Sequence, residues 1–216
     1  MHDHHDHDHH DHSHDPIISE AEDSPFATRE AAIRTLLIDK GIFTADELRQ
    51  RVEAMEGRTP ALGAKVVARA WVDRDYKARL LADGETAIQE LGLKTMHTSK
   101  IVVVENTETT HNVIVCTLCS CYPIAILGRP PAWYKSLAYR SRVVVNPRLV
   151  LKEFGLSLGE DVEVRVHDST ADIRYLVIPK RPEGTENLSE KALADLVTRD
   201  SMIGVALAQS PEGVTP

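Results

Sequence analysis

The chain has 216 residues, enough for one domain of ordinary size with extensions, and 42% are hydrophobic, so most of it can bury a core. The formal charge of −8 is uneven: residues 1–15 hold five Asp and no Lys or Arg, which leaves 25 basic against 28 acidic groups over the other 201. That near balance excludes a strongly basic nucleic-acid surface, no apolar run nears the roughly 18 residues of a membrane helix, and three Cys within six residues exclude a disulfide framework.

Residues 1–25 hold eight of the eleven His and almost nothing apolar, so a disordered tail is expected there. Its imidazoles and carboxylates are able to chelate divalent metals, and a plain solvated tail is the alternative. The tail has neither the basic start nor the apolar stretch of a signal peptide, so a cytoplasmic location is expected. From residue 26 to about 59 the pattern is helical: Ile33, Leu36 and Leu37 form a stripe, Gly41 is a stop, and Thr44-Ala45-Asp46-Glu47 reads as a capping box ahead of Leu48, Val52 and Met55. Two short amphipathic helices have little to pack against locally, so this arm is expected to lie on the main body or on another chain.

The main body is expected over residues 60–208, followed by a frayed tail at 209–216. Leu62, Val66, Val67, Ala70 and Trp71 mark a helix; Tyr76, Leu80 and Leu81 mark a second, and Thr86 to Leu91 a third, stopped by Gly92. The period then changes. Ile101 to Val104 and Val113 to Val115 are continuous and β-branched, as buried strands are. Val162, Val164 and Val166 alternate with polar residues, as do Ile173, Tyr175 and Val177, and the turn-prone Asp168–Asp172 segment between them predicts a hairpin. Pro147 to Phe154 reads as a helix stopped by Gly155, and Ser189 as the cap of another carrying Leu193, Leu196 and Val197. Helices first and strands later give a mixed α+β domain.

The most informative stretch is Cys116-Thr117-Leu118-Cys119-Ser120-Cys121-Tyr122-Pro123. A C-x-x-C step lets two thiolates converge on one ion. A C-x-C step does so only if the backbone between wraps closely, which carries the Ser120 and Cys121 amide nitrogens toward the ion. Three sulfurs and two amides supply five positions and leave a sixth open. Three readings stand at this point: a structural zinc site, with His111 the nearest candidate for a fourth donor; ordinary buried thiols; and a catalytic transition-metal site.

The same segment resembles the metal claw of nitrile hydratase alpha subunits. Val103-Val104-Glu105-Asn106-Thr107, Pro130-Pro131-Ala132-Trp133-Tyr134-Lys135-Ser136, Tyr139-Arg140-Ser141-Arg142, Arg181-Pro182-Glu183-Gly184-Thr185 and Val197 to Gly204 resemble family segments in the same order, so the resemblance spans roughly residues 27–206. Thr117 and Tyr122 match the cobalt type, and the His/Asp tail is similar to extensions on cobalt-type alpha subunits and on the metal subunit of thiocyanate hydrolase. The resemblance implies a helical arm followed by a mixed layered α/β catalytic domain. It implies a non-corrin, low-spin cobalt(III), with iron(III) the lesser fit, held by the sulfurs of Cys116, Cys119 and Cys121 and by the deprotonated Ser120 and Cys121 amides. It further implies Cys119 as sulfinate and Cys121 as sulfenate, hydration of a nitrile to an amide with Cys121, Cys119 and Ser120 as catalytic residues, and a beta-type subunit whose arginines complete the site in a heterodimer or larger heteromer.

Three positions depart from the family pattern. Ile124 stands where a Trp usually walls the substrate pocket beside Tyr122, His97 stands where a Gln is common, and His167-Asp168 replaces Trp-Asp. A changed wall puts substrate range in question and keeps thiocyanate hydrolase as the alternative enzyme, with a non-enzymatic zinc or metal-binding protein as the other. Hydrogen-bonded structural roles are the plain reading of His97 and His167, and packing that of Trp133-Tyr134.

Overall fold

The computed structural model describes residues 25–95 and 99–211. The His/Asp tail, most of the C-terminal tail and His97 lie outside the described residues. Helix α1 (Pro25–Asp39) is followed by α2 (Ala45–Glu56), and the described residues divide into two compact units inside α2, between Arg49 and Gln50. Gly41, at φ 67°, ends α1, since a side chain there would strain the left-handed turn. The capping box is present as read: the Thr44 amide donates to Glu47 Oε2 at 2.7 Å and the Glu47 amide to Thr44 Oγ1 at 3.1 Å. Ile33, Leu36, Ile42, Val52 and Met55 are all exposed.

The second unit carries the core. Helices α3 (Pro60–Val72), α4 (Arg74–Ala82) and α5 (Gly84–Glu90) run in sequence, with Asp73 and Asp83 each closing one helix and capping the next through its carboxylate. Strands β1 (Lys100–Glu105) and β2 (Thr110–Val115) follow, then the short helices α6 (Ile124–Leu127) and α7 (Ala132–Lys135), then α8 (Leu137–Val145) and α9 (Pro147–Glu153). Strands β3 (Glu163–Asp168) and β4 (Ile173–Ile178) and helices α10 (Glu190–Asp195) and α11 (Arg199–Ile203) complete the unit. This is the mixed α+β body expected. Among the described residues no helix is long and apolar enough to cross a membrane.

The strand pairing corrects the expected hairpin. β3 and β4 do not pair with each other; β1 pairs in parallel with β4, and β2 in parallel with β3. Residues 169–172 instead carry the chain from one pair to the other, with the Ser169 amide donating to Val115 O and the Lys100 amide to Asp172 O, both at 2.7 Å. Each strand finds a fully formed apolar edge elsewhere in the unit, and Leu176, Val177 and Ile178 are buried where pairing with β1 puts them. The shared core also takes Val66 and Val67 of α3, Leu80, Ile88, Val113 to Val115, Ile126, Leu127 and Met202.

A buried polar joint ties β1, β2, β3 and α11 together. The His111 Nε2–H donates to Gly204 O at 2.7 Å, and its Nδ1 accepts from the Asn106 side-chain amide at 3.2 Å. That pattern requires a neutral imidazole. Asn112 bonds to Glu105 O and Asn106 Oδ1 and accepts from His167 Nε2 at 2.8 Å, so His167 is the hydrogen-bonded structural histidine that the plain reading described. Burial lowers the pKa of both histidines. An unfolded histidine binds a proton near about 6.5 and these folded ones resist it, so the native state loses stability as pH falls below that value. In the metal-free chain the urea midpoint is expected to drop between pH 7.5 and 5.5, well above the carboxylate range. A midpoint independent of pH over that window would refute the neutral joint.

Candidate metal centre

The three cysteines leave the end of β2 and are gathered before α6 begins. Cys116 Sγ lies 3.6 Å from Cys119 Sγ, which lies 3.2 Å from Cys121 Sγ, and all three are within 4.8 Å of one another. These distances are far beyond a disulfide bond, and all three thiols are free. Cys116 is buried, Cys121 half-buried and Cys119 exposed, so the cluster opens outward from a rigid floor. The amide of Cys119 turns back to Cys116 Sγ at 3.4 Å, the wrap that the C-x-x-C spacing allows.

Long-range hydrogen bonds freeze this turn. Asp168, at the end of β3, accepts from the Thr117 amide at 2.9 Å and the Thr117 hydroxyl at 2.6 Å. Arg140 of α8 donates from Nε to Cys116 O at 3.0 Å and from Nη2 to Thr117 O at 2.6 Å. The Tyr134 hydroxyl donates to Cys121 O at 2.9 Å, and that of Tyr139 to Ile114 O at 2.7 Å. Tyr134 is fully buried and packs edge-on to Tyr122, while Trp133 packs on Tyr139 and Phe154. The Trp133-Tyr134 pair is therefore core packing, with one hydroxyl reaching the claw backbone. Sequence reasoning missed Arg140 and Asp168 as supports. The signal available was only their place in family-like segments, since the bonds span 24 and 51 residues.

The Cys121 thiol, the amides of Ser120 and Cys121 and the Cys116 thiol together bring Cys119 down to about 7, whereas burial, and then the proton shared with Cys119, pushes Cys121 up to about 12. Cys119 is therefore the thiol of the pair that gives up its proton first.

A cleft of about 330 Å³ opens over Cys119, Ser120 and Cys121. Its walls include Ile101, Tyr122, Ile124 and Pro130, with Arg174 the one charged side chain among the described lining residues. Tyr122 and Ile124, both expected pocket residues, thus stand at the site. Arg174 was not anticipated from the sequence; its Nη1 is held by the carbonyls of Thr170 and Ala171, and its charge acts on Cys121.

The donor set fits a thiophilic ion held in an incomplete shell. Among the described residues no His, Asp or Glu joins the three cysteines. His111, the candidate fourth zinc donor, has both ring nitrogens engaged by Asn106 and Gly204, which removes the ligand that a closed zinc site needs. Asp168 supports the site from behind, and loss of such a partner weakens metal affinity about 10- to 100-fold. Asp168→Ala is expected to show that loss against a competing chelator while the chain stays folded. Unchanged affinity would remove Asp168 from the account.

Comparison with known proteins agrees with this geometry. The family model described as nitrile hydratase, alpha chain, matches residues 24–206. The low-molecular weight cobalt-containing nitrile hydratase subunit alpha of Rhodococcus rhodochrous is 52% identical over 186 residues, 86% of this chain and 90% of that protein. The thiocyanate hydrolase subunit gamma of Thiobacillus thioparus is 43% identical, over 89% of this chain and 83% of that protein. Among solved structures, a double mutant of the Fe-type nitrile hydratase from Comamonas testosteroni Ni1 superposes with a TM-score of 0.83 at 43% identity, over 91% of this chain and 96% of that one. Three convergent cysteines in the right frame, and a match along nearly all of the described residues, make this chain a member of the nitrile hydratase alpha-chain family.

Proposed function

We propose that this chain is the metal-bearing alpha subunit of a cobalt-type nitrile hydratase, which converts a nitrile to its amide together with a beta-type subunit. The observation that carries the reading is the three-sulfur cluster, gathered with no fourth His, Cys, Asp or Glu donor among the described residues, at the floor of an open cleft. Cys116, Cys119 and Cys121 would hold the ion through sulfur, and the Ser120 and Cys121 main-chain nitrogens would complete its protein ligands. Soft sulfur and anionic nitrogen donors suit cobalt in its trivalent, low-spin form, and cobalt-containing relatives favour it over iron. Bound there, the ion supplies Lewis acidity toward a nitrile or a water molecule.

The chain's own residues do the rest. Ile101, Ile124 and Pro130 receive the organic part of the nitrile and displace water from it. Cys119 is carried as sulfinate and Cys121 as sulfenate, and the Cys121 oxygen acts as nucleophile or base toward the nitrile carbon. The Ser120 hydroxyl orients the group at the mouth of the cleft. Oxygenated sulfurs are anionic and call for cationic partners, which arginines of the beta-type subunit supply. Residues 26–59 act as an arm whose exposed Ile33, Leu36, Ile42, Val52 and Met55 pack on that subunit, while residues 60–208 form the catalytic domain.

A second reading, the metal subunit of a thiocyanate hydrolase, is favoured by one observation. Arg174 brings a positive charge to the cleft and Ile124 brings no aromatic wall, a setting that suits a small anion. Incubating the chain with its partner and an aliphatic nitrile, an aromatic nitrile or thiocyanate separates the two. Amide from a nitrile is the expected result, with activity appearing only when both subunits are present. Ammonia from thiocyanate with no amide from either nitrile would reverse the ranking. Ile124→Trp narrows the cleft and is expected to lower kcat/KM for an aromatic nitrile about tenfold relative to a small aliphatic one. An unchanged ratio would take position 124 out of the pocket.

A further inference from the structure

Among the described residues Arg174 is a cation with no anion paired to it. It stands half-buried on β4, and its Nη1 donates to the carbonyls of Thr170, Ala171 and Ile173, the last two at 3.1 and 3.3 Å. A guanidinium has five N–H groups, so those on Nε and Nη2 are left without a partner among the described residues. Arginine is seldom withdrawn from water unless an anion meets it, and no Asp or Glu is among the described lining residues of the cleft. We propose that Arg174 and Ser99 form an anion-recognising subsite of the cleft, which makes nitriles with a carboxylate at their far end the preferred substrates. The proposal rests on the nitrile reading above and names a substrate class for the same site.

Strand register brings the two residues to one wall. Ile101 of β1 pairs with Arg174 of β4 in the parallel ladder, and both line the cleft. Ser99 lies two residues before Ile101, where an extended chain repeats its face, and it lines the cleft as well. Two residues along a strand and one strand across make a step of roughly 8 Å, within the reach of an arginine side chain. The Ser99 hydroxyl has no hydrogen bond among the described residues, so it is a second donor for the same carboxylate. The anchored Nη1 fixes the guanidinium plane, and a fixed plane suits two parallel bonds to one carboxylate.

The rest of the lining suits the rest of such a molecule. Cys119, Ser120 and Cys121 share the cleft, Ile101, Ile124 and Pro130 meet methylene groups, and a volume of about 330 Å³ takes a short chain. The Arg174 charge also bears on Cys121, so an oxygenated Cys121 is the rival anion. The two occupants differ in kinetics. A bond to the remote end of the substrate is made in ground and transition states alike and is read in KM, whereas a bond to the reacting oxygen is read in kcat.

The test uses the natural chain, R174Q, R174K and S99A, each combined with the partner subunit. Two nitriles of equal length are compared: an ω-cyanoalkanoate with three methylene groups and its methyl ketone isostere. The natural enzyme is expected to show a KM about tenfold lower for the acid than for the ketone, an advantage that shrinks as salt is raised. R174Q should lose that preference through KM, R174K should keep part of it as a point charge, and S99A should reduce it about threefold. A natural enzyme with no preference for the acid would overturn the subsite, and that ratio decides the point even if R174Q fails to fold. A kcat lowered equally for both nitriles in R174Q, with the KM ratio kept, would also overturn it and assign Arg174 to the Cys121 oxygen. A ratio unchanged in S99A would remove Ser99. No amide from the acid, the ketone or a simple aliphatic nitrile would sink the nitrile reading instead. Calorimetry would then still decide the subsite: binding of the acid that is lost in R174Q supports it, and equal or absent binding overturns it.

Discussion

Cys121→Ala is expected to leave a folded chain that neither retains cobalt nor turns over a nitrile when combined with its partner. Cys121 contributes a sulfur 3.2 Å from that of Cys119 and lies on the floor of the cleft, so its loss removes the proposed ligand and the proposed reacting atom together. The fold should survive, because Cys121 is half-buried and the Tyr134 hydroxyl bonds to its carbonyl, which Ala keeps. Metal analysis after chelator treatment and amide formation under saturating nitrile read the two losses separately. Turnover falling by several orders of magnitude with no metal retained is the expected pair of results. Retained metal with lost turnover would keep Cys121 as a reacting group and remove it as a ligand; retained turnover would refute both roles.

The second large effect concerns stability. Gly204 closes α11 at φ 92°, and a Cβ there would sit 1.9 Å from Asn112 O and 2.9 Å from its carbonyl carbon. Backbone cannot yield as a flexible side chain does, and the same stretch of β2 carries His111, whose Nε2–H donates to Gly204 O. Gly204→Ala therefore combines a left-handed strain of roughly 1–2 kcal/mol with overpacking of roughly 1–3 kcal/mol. For a chain of this size that corresponds to a fall in Tm of about 10 °C, measurable by calorimetry on the metal-free chain. A shift under about 2 °C would show that α11 does not approach β2 as closely as described.

How much could be read from the sequence follows from how local each feature is. The claw was legible because its chemistry demands neighbouring residues: two thiols three apart and two thiols two apart, with the backbone between them. The capping box at Thr44 and Glu47 and the stop at Gly41 were legible for the same reason. Strand partners were not. Alternation at Val162, Val164 and Val166 and at Ile173, Tyr175 and Val177 identified two strands correctly, but a period of two says nothing about which edge a strand joins. Their proximity in sequence suggested a hairpin, whereas burial of Leu176 to Ile178 is achieved against β1. The helices α6 and α7, four residues each, are too short for a periodic signal. The supports of the site were hidden too, since Arg140 and Asp168 act on the claw from α8 and β3 across long stretches of chain. His111 read as a candidate ligand because it lies five residues before Cys116, and only the structure shows its two nitrogens already committed.

The claim beneath all of this is that Cys116, Cys119 and Cys121 jointly grip one cobalt ion and leave a coordination position open. X-ray absorption at the cobalt edge, on the two-subunit protein after removal of chelator-accessible metal, addresses it directly. One cobalt per chain with a shell of three sulfurs and two nitrogens, plus one light atom that exchanges with added ligand, is the result expected. Stoichiometric zinc closed by a fourth protein donor, or cobalt surrounded by oxygen and imidazole without sulfur, would contradict it.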